Sequence, residues 1–200
     1  GVDFIEIGMP FSDPMADGPS IQLSSRRARK SGINLPKCLS AVESFRKSNK
    51  YTPIILMGYY NPIYKFGKKK FIEKSLNSGV DGLIIVDLPP EEDDEFYIDA
   101  ERNKLSIIRL VTPTTDEKRL NKILLNATGF VYYVSITGIT GTQAPNIDNV
   151  STNLKKIKSV TDLPVVIGFG IRSPSQASSM ANISDGIVVG SAIVDLIKSS

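Results

Sequence analysis

Few residues in this 200-residue chain can do chemistry, and their types narrow what it can do. There is no histidine, and Cys38 is the one cysteine. That excludes serine–histidine and cysteine–histidine catalysis, histidine proton relays and most zinc sites. Acid–base work falls to carboxylates, tyrosines and lysines. Glu6 sits among the apolar residues Phe4, Ile5 and Ile7. A carboxylate in such a run is costly to bury unless it is paired or used. Burial also raises a carboxyl pKa, which suits a general acid–base near neutrality. The competing reading is a structural carboxylate bonded to backbone or to a neighbouring strand. Asp17 follows on a loop rich in proline and glycine, the place for a second, more solvated carboxylate or for a turn or helix-capping aspartate. Asp87, directly after the apolar run 83–86, either reaches the mouth of a site or caps the next helix.

Three glycine clusters lie late in the chain: Thr137-Gly138-Ile139-Thr140-Gly141, Gly168-Phe169-Gly170-Ile171 and Gly190-Ser191. Each follows an apolar run. Glycine lets backbone N–H groups approach an anion closely, and a helix starting near Gly190-Ser191 adds its dipole. The last two clusters therefore predict a phosphate site. Tyr59, Tyr60, Tyr132 and Tyr133 read as core or rim aromatics, of which one or two at strand ends can line a pocket for a flat ligand. The basic clusters Arg26-Arg27 with Arg29-Lys30, and Lys68-Lys69-Lys70, read as solvated helix faces.

The elements that must position these residues are legible as alternation. Nearly continuous apolar runs at 4–7, 54–57, 83–86, 106–110, 131–134, 165–167 and 186–189 predict strands buried on both faces, as in a parallel sheet. Helical stretches are expected near 21–30 and at 35–48, 91–103, 116–125, 150–158, 174–180 and 192–198. The order βαβα gives an α/β fold. Seven strands in 200 residues fit a (β/α)8 TIM barrel, incomplete in this chain, with the first strand and the last outer helix missing. Residues 1–200 are expected to form one such domain, cut at both ends. In that fold, chemistry sits where strands end, which is where the residues above lie. The composition, 41% hydrophobic and 22% charged, is globular. A net charge of +3 lacks the basic footprint of a nucleic-acid binder. No apolar run is long enough for a membrane span. A single cysteine suits a reducing, cytoplasmic setting.

Residues 5–18, Ile-Glu-Ile-Gly-Met-Pro-Phe-Ser-Asp-Pro-Met-Ala-Asp-Gly, resemble the signature segment of the tryptophan synthase α subunit family. The resemblance continues through Leu56-Met57, Asp87-Leu88-Pro89, Tyr132-Tyr133-Val134-Ser135, Gly138-Ile139-Thr140-Gly141, Gly168-Phe169-Gly170-Ile171 and Gly190-Ser191-Ala192, and so spans the chain. It implies a (β/α)8 barrel that cleaves indole-3-glycerol phosphate to indole and glyceraldehyde 3-phosphate. It places Glu6 as the acid–base at indole C3 and Asp17 as the carboxylate that stabilises the cationic indole N–H. It puts Tyr59, Asp87, Tyr132 and Thr140 around the substrate, and Gly141, Gly170, Gly190 and Ser191 at its phosphate. It also implies an α2β2 heterotetramer with a β subunit that holds pyridoxal phosphate, no cofactor being expected in this chain. A loop at 137–149 is expected to close over Asp17, with Thr140 bonding that carboxylate. Met9, Phe11 and Met15 are expected to offer apolar contacts to the partner. The alternatives are another phosphosugar barrel such as an isomerase, a non-catalytic phosphate-binding regulatory subunit, and a stand-alone lyase releasing indole.

Overall fold

The computed structural model describes residues 1–92, 94–135, 147–168 and 170–199. They fall into two compact units, residues 1–16 with 23–107 and residues 17–22 with 108–200. Helix α1 (Pro19–Lys30) starts in the second and ends in the first.

The first unit carries a parallel sheet of β1 (Ile5–Gly8), β2 (Ile54–Gly58), β3 (Gly82–Ile85) and β4 (Ser106–Ile107), in that order. Helices α2 (Leu35–Arg46), α3 (Tyr60–Phe66), α4 (Lys68–Ser78) and α5 (Asp94–Arg102) accompany it. Helix α2 begins where the sequence says it should: Asn34 Oδ1 accepts the Lys37 N–H at 3.1 Å, and Pro36 lies in the first turn. Helix α4 stops at Gly79, whose φ of +90° is left-handed. Ile54, Leu56, Leu83 and Ile107 pack with Leu35, Leu39, Val42, Phe71 and Phe96 in one apolar core. Side chains alternate along a strand. Glu6, paired in register with Ile55, therefore stands on the sheet face away from that core.

The second unit repeats the plan. Strands β5 (Arg109–Val111), β6 (Val131–Val134), β7 (Val165–Gly168) and β8 (Gly186–Ile187) form another parallel sheet. Helices α6 (Glu117–Leu124), α7 (Ile147–Lys158), α8 (Pro174–Ala181) and α9 (Ser191–Ser199) go with it. Asp116 caps α6, and Ser173 with Gln176 form a capping box on α8. Val111, Val131, Tyr133, Val165 and Ile167 face the helical core, which leaves Tyr132, Val166 and Gly168 on the other face.

One joint recurs in both units. Asp81, just before β3, accepts the N–H of Ile54, the first residue of β2, at 2.7 Å, and Arg46 at the end of α2 reaches the same oxygen at 2.6 Å. Asp185, just before β8, accepts the N–H of Val165, the first residue of β7, at 2.6 Å, and pairs with Lys158 at the end of α7. Each aspartate also returns its own N–H to the carbonyl of that strand residue.

Two details depart from the sequence reading. The expected run 106–110 divides at Ile108, with Ser106–Ile107 pairing to β3 and Arg109–Val111 to β6, so the described residues hold eight strand segments. Helices α3 and α4 fill an interval the sequence reading left without elements.

Candidate active site

Glu6 leaves β1 from the face opposite the helical core, half-buried, with Oε2 shut off from solvent. The sheet holds its strand on both sides of it: Ile5 N–H donates to Pro53 O at 2.9 Å, and Met9 N–H to Met57 O at 2.8 Å. Met9 is core, since a Cβ on Gly58 would meet its Cε at 2.8 Å. Phe11 is half-buried, and its ring lies 5.3 Å from that of Tyr59. Of the three apolar residues expected to face a partner, only Met15 stands well out, 80% exposed.

Asp17 lies near the end of the loop that leaves β1, with Gly18 between it and α1. The Ala16 N–H donates to the Tyr59 hydroxyl at 2.9 Å, and Gln22 Nε2 donates to the Asp17 carbonyl at 2.8 Å. Tyr59 is the residue preceding α3 and is buried. Asp87 does not cap the helix that follows it. Its Oδ1 accepts the Tyr60 N–H at 2.7 Å, satisfying an orphan donor at the start of α3. Desolvation by the surrounding protein pushes its carboxyl pKa up, opposed by a backbone hydrogen bond.

In the second unit, Tyr132 is buried on β6 and lies across Gly168 of β7. A Cβ at residue 168 would fall inside the Tyr132 ring, against Oη, Cε1 and Cζ. Ser135 secures the same spot by donating both its N–H, at 3.1 Å, and its hydroxyl, at 2.9 Å, to the Gly168 carbonyl. Gly170 has φ +79°, a conformation that favours glycine. Gly190 is exposed, a Cβ there would meet nothing within 4 Å, and its carbonyl accepts the Val194 N–H at 3.1 Å as α9 begins at Ser191. Ser20 Oγ donates to Asp195 Oδ2 at 2.9 Å, which ties the first turn of α1 to the helix headed by Gly190-Ser191.

Thr140 and Gly141, with most of the loop 137–149, lie outside the described residues. Sequence reasoning missed Ser135, whose only signal was its place one residue beyond an apolar run, and the grip of Tyr59 on Ala16, which has none. Among the described residues no group of three or more metal-ligating side chains comes together, and no helix is long and apolar enough to cross a membrane.

A model of the tryptophan synthase alpha chain family matches residues 1–200. The chain is 39% identical to tryptophan synthase subunit alpha from Legionella pneumophila, with a TM-score of 0.91 over 100% of this chain and 73% of that one. It is 38% identical to a chain of the tryptophan synthase α2β2 complex of Pyrococcus furiosus, with a TM-score of 0.87 over 98% and 78%. It is 32% identical to a chain of the aminoacrylate-bound tryptophan synthase of M. tuberculosis, with a TM-score of 0.90 over 100% and 76%. With the family model matched from end to end and solved relatives at 32–39% identity, the chain belongs to the tryptophan synthase alpha chain family, lyases of the (β/α)8 barrel class.

Proposed function

We propose that the chain cleaves indole-3-glycerol phosphate to indole and glyceraldehyde 3-phosphate. The observation that carries the reading is Glu6, a carboxylate with one oxygen closed to solvent on the face of a strand that points away from the apolar core. In its protonated form such a carboxyl is a general acid. It can deliver that proton to indole C3, which makes the ring an indolenine cation. The C3–C1′ bond then breaks, its electron pair flows back into the ring to neutralise the cation, and the C1′ hydroxyl becomes the aldehyde of glyceraldehyde 3-phosphate. Glu6, now ionised, takes the hydroxyl proton and is reset. Asp17, on the loop between β1 and α1, is the carboxylate that stabilises the cationic N–H. Two carboxyls in different environments divide the acid and the anion roles between them.

Tyr132 borders the indole ring, and the substrate phosphate lies on the main chain near Gly141, Gly170, Gly190 and Ser191, the last pair heading α9 with its unspent N–H groups. Thr140 bonds Asp17 when its loop closes. The subunit works in the cytoplasm and pairs with a β subunit; the Pyrococcus furiosus relative is part of an α2β2 complex. Pyridoxal phosphate belongs to that partner alone, and this chain holds no cofactor.

The test is Glu6→Gln, which keeps the shape but cannot donate the proton. Cleavage should fall by about 10²–10⁴-fold, the usual scale of general acid–base catalysis, while glycerol phosphate analogues still bind. Activity within a few-fold of the parent overturns the assignment.

A further inference from the structure

We propose that Tyr59 is a positioning residue that sets the Asp17 carboxylate through the main chain. The inference rests on the role given to Asp17 above. The Ala16 N–H donates to the Tyr59 hydroxyl at 2.9 Å, across 43 residues of sequence, and Ala16 directly precedes Asp17. The tyrosine is a firm anchor. It is 3% exposed, follows β2 without a break, and has extended backbone at the head of α3. The Phe11 ring lies against it, tilted by 34° at 5.3 Å. On the far side, the Asp17 carbonyl accepts from Gln22 Nε2. Main-chain bonds therefore bracket residue 17.

The loop 10–19 that carries residue 17 has little slack. Pro10, Pro14 and Pro19 fix φ at three of its ten positions. In so stiff a loop, one anchor at Ala16 sets where the next side chain emerges. A carboxylate that must meet charge as it develops on a ring nitrogen is sensitive to a fraction of an ångström. The phenol oxygen contributes as an acceptor, and phenylalanine cannot replace it.

Tyr59→Phe removes that acceptor and keeps the ring. The Ala16 amide should exchange with solvent faster, read by hydrogen exchange and mass spectrometry. The kcat for indole release should fall by roughly 5–30-fold, the scale of a slightly misplaced catalytic group, with KM changed by less than about twofold. In an Asp17→Asn background the same change should add less than about twofold, because the group being positioned is already gone. If Tyr59→Phe is poorly folded, Phe11→Leu, which removes the buttressing ring, should give the same pattern more weakly. A raised KM with kcat kept makes Tyr59 a substrate contact and overturns the proposal. So does an equal loss in the Asp17→Asn background, or an unchanged Ala16 exchange rate. If Asp17→Asn itself keeps full activity, the role of Asp17 fails, and Ala16 exchange still decides whether Tyr59 holds the loop.

Discussion

Gly168 has no room for a side chain, because the Tyr132 ring occupies the space one would need. Gly168→Ala should push that ring aside within a strand buried on both faces. We expect a stability loss of about 1–3 kcal/mol, the range for overpacking a core, read as a lower urea midpoint, with a clear drop in indole release. Gly190 is the contrasting case. Space there is open and its φ is ordinary, so Gly190→Asp should fold normally by circular dichroism. It should still lose glycerol phosphate binding, because it sets bulk and negative charge at the start of α9. Normal affinity would place the phosphate elsewhere. The sequence announced all three glycine positions as one kind of signal. It marked Gly190 as a helix start, but it did not separate a glycine overlaid by a ring, Gly168, from one with left-handed backbone, Gly170. Those differences depend on what lies near in space. The place of Glu6 in a strand was legible from its apolar neighbours; the choice between an acid–base and a structural carboxylate was not.

At the scale of elements, strands were legible wherever burial on both faces wrote a continuous apolar run. The division at Ile108 was not, because which neighbour a strand end pairs with is a tertiary matter. Helix α4 carried a readable pattern in Phe71, Ile72, Ser75 and Leu76, all on its inner side; the sequence reading took its three opening lysines as a solvated helix face but set no bounds to the helix. The joint made by Asp185, Lys158 and Val165 yields a prediction in pH. The Lys158 hydrogen bond, then the Val165 N–H, hold the Asp185 carboxyl below its ordinary pKa. A group whose folded pKa is depressed adds stability above its unfolded pKa and loses it as pH falls through the folded value. Relative to Asp185→Asn, the parent should therefore be more stable at pH 7, with the gap shrinking below about pH 4. Both side chains are about two-fifths exposed, so the gap should be only about 1 kcal/mol or less. That is about 2–4 °C in melting temperature at this chain length. A gap that stays constant down to pH 2 would show that the carboxylate's charge contributes nothing there.

For the whole molecule, the proposed partnership is the feature to measure. Met15 is exposed on the loop that carries Asp17, and Ser20 just beyond it is tied to α9. A β subunit that covers this loop would act on the carboxylate and the phosphate helix together. Indole release at saturating substrate should therefore be slow for the subunit alone and at least about tenfold faster with its partner, equal to about 1.4 kcal/mol of barrier. Thr140→Val should lower both the rate and the acceleration. Equal rates with and without a β subunit would favour a lyase that works alone. The aspartate joints bear on how such an enzyme can change over generations. In each unit the joint fastens the first residue of a strand, while Asp17, Tyr59, Asp87, Gly170 and Gly190 lie beyond the ends of strands, and Glu6 and Tyr132 lie within theirs. Register is secured at one end and chemistry is exposed at the other, as the fold class favours. Substitutions, insertions and deletions in the loops that select substrate can then accumulate without slipping a strand. Selection can retune those loops one at a time, and the scaffold's own heritable constraints are concentrated in a few residues such as Arg46, Asp81, Lys158 and Asp185, none of which the proposed chemistry uses.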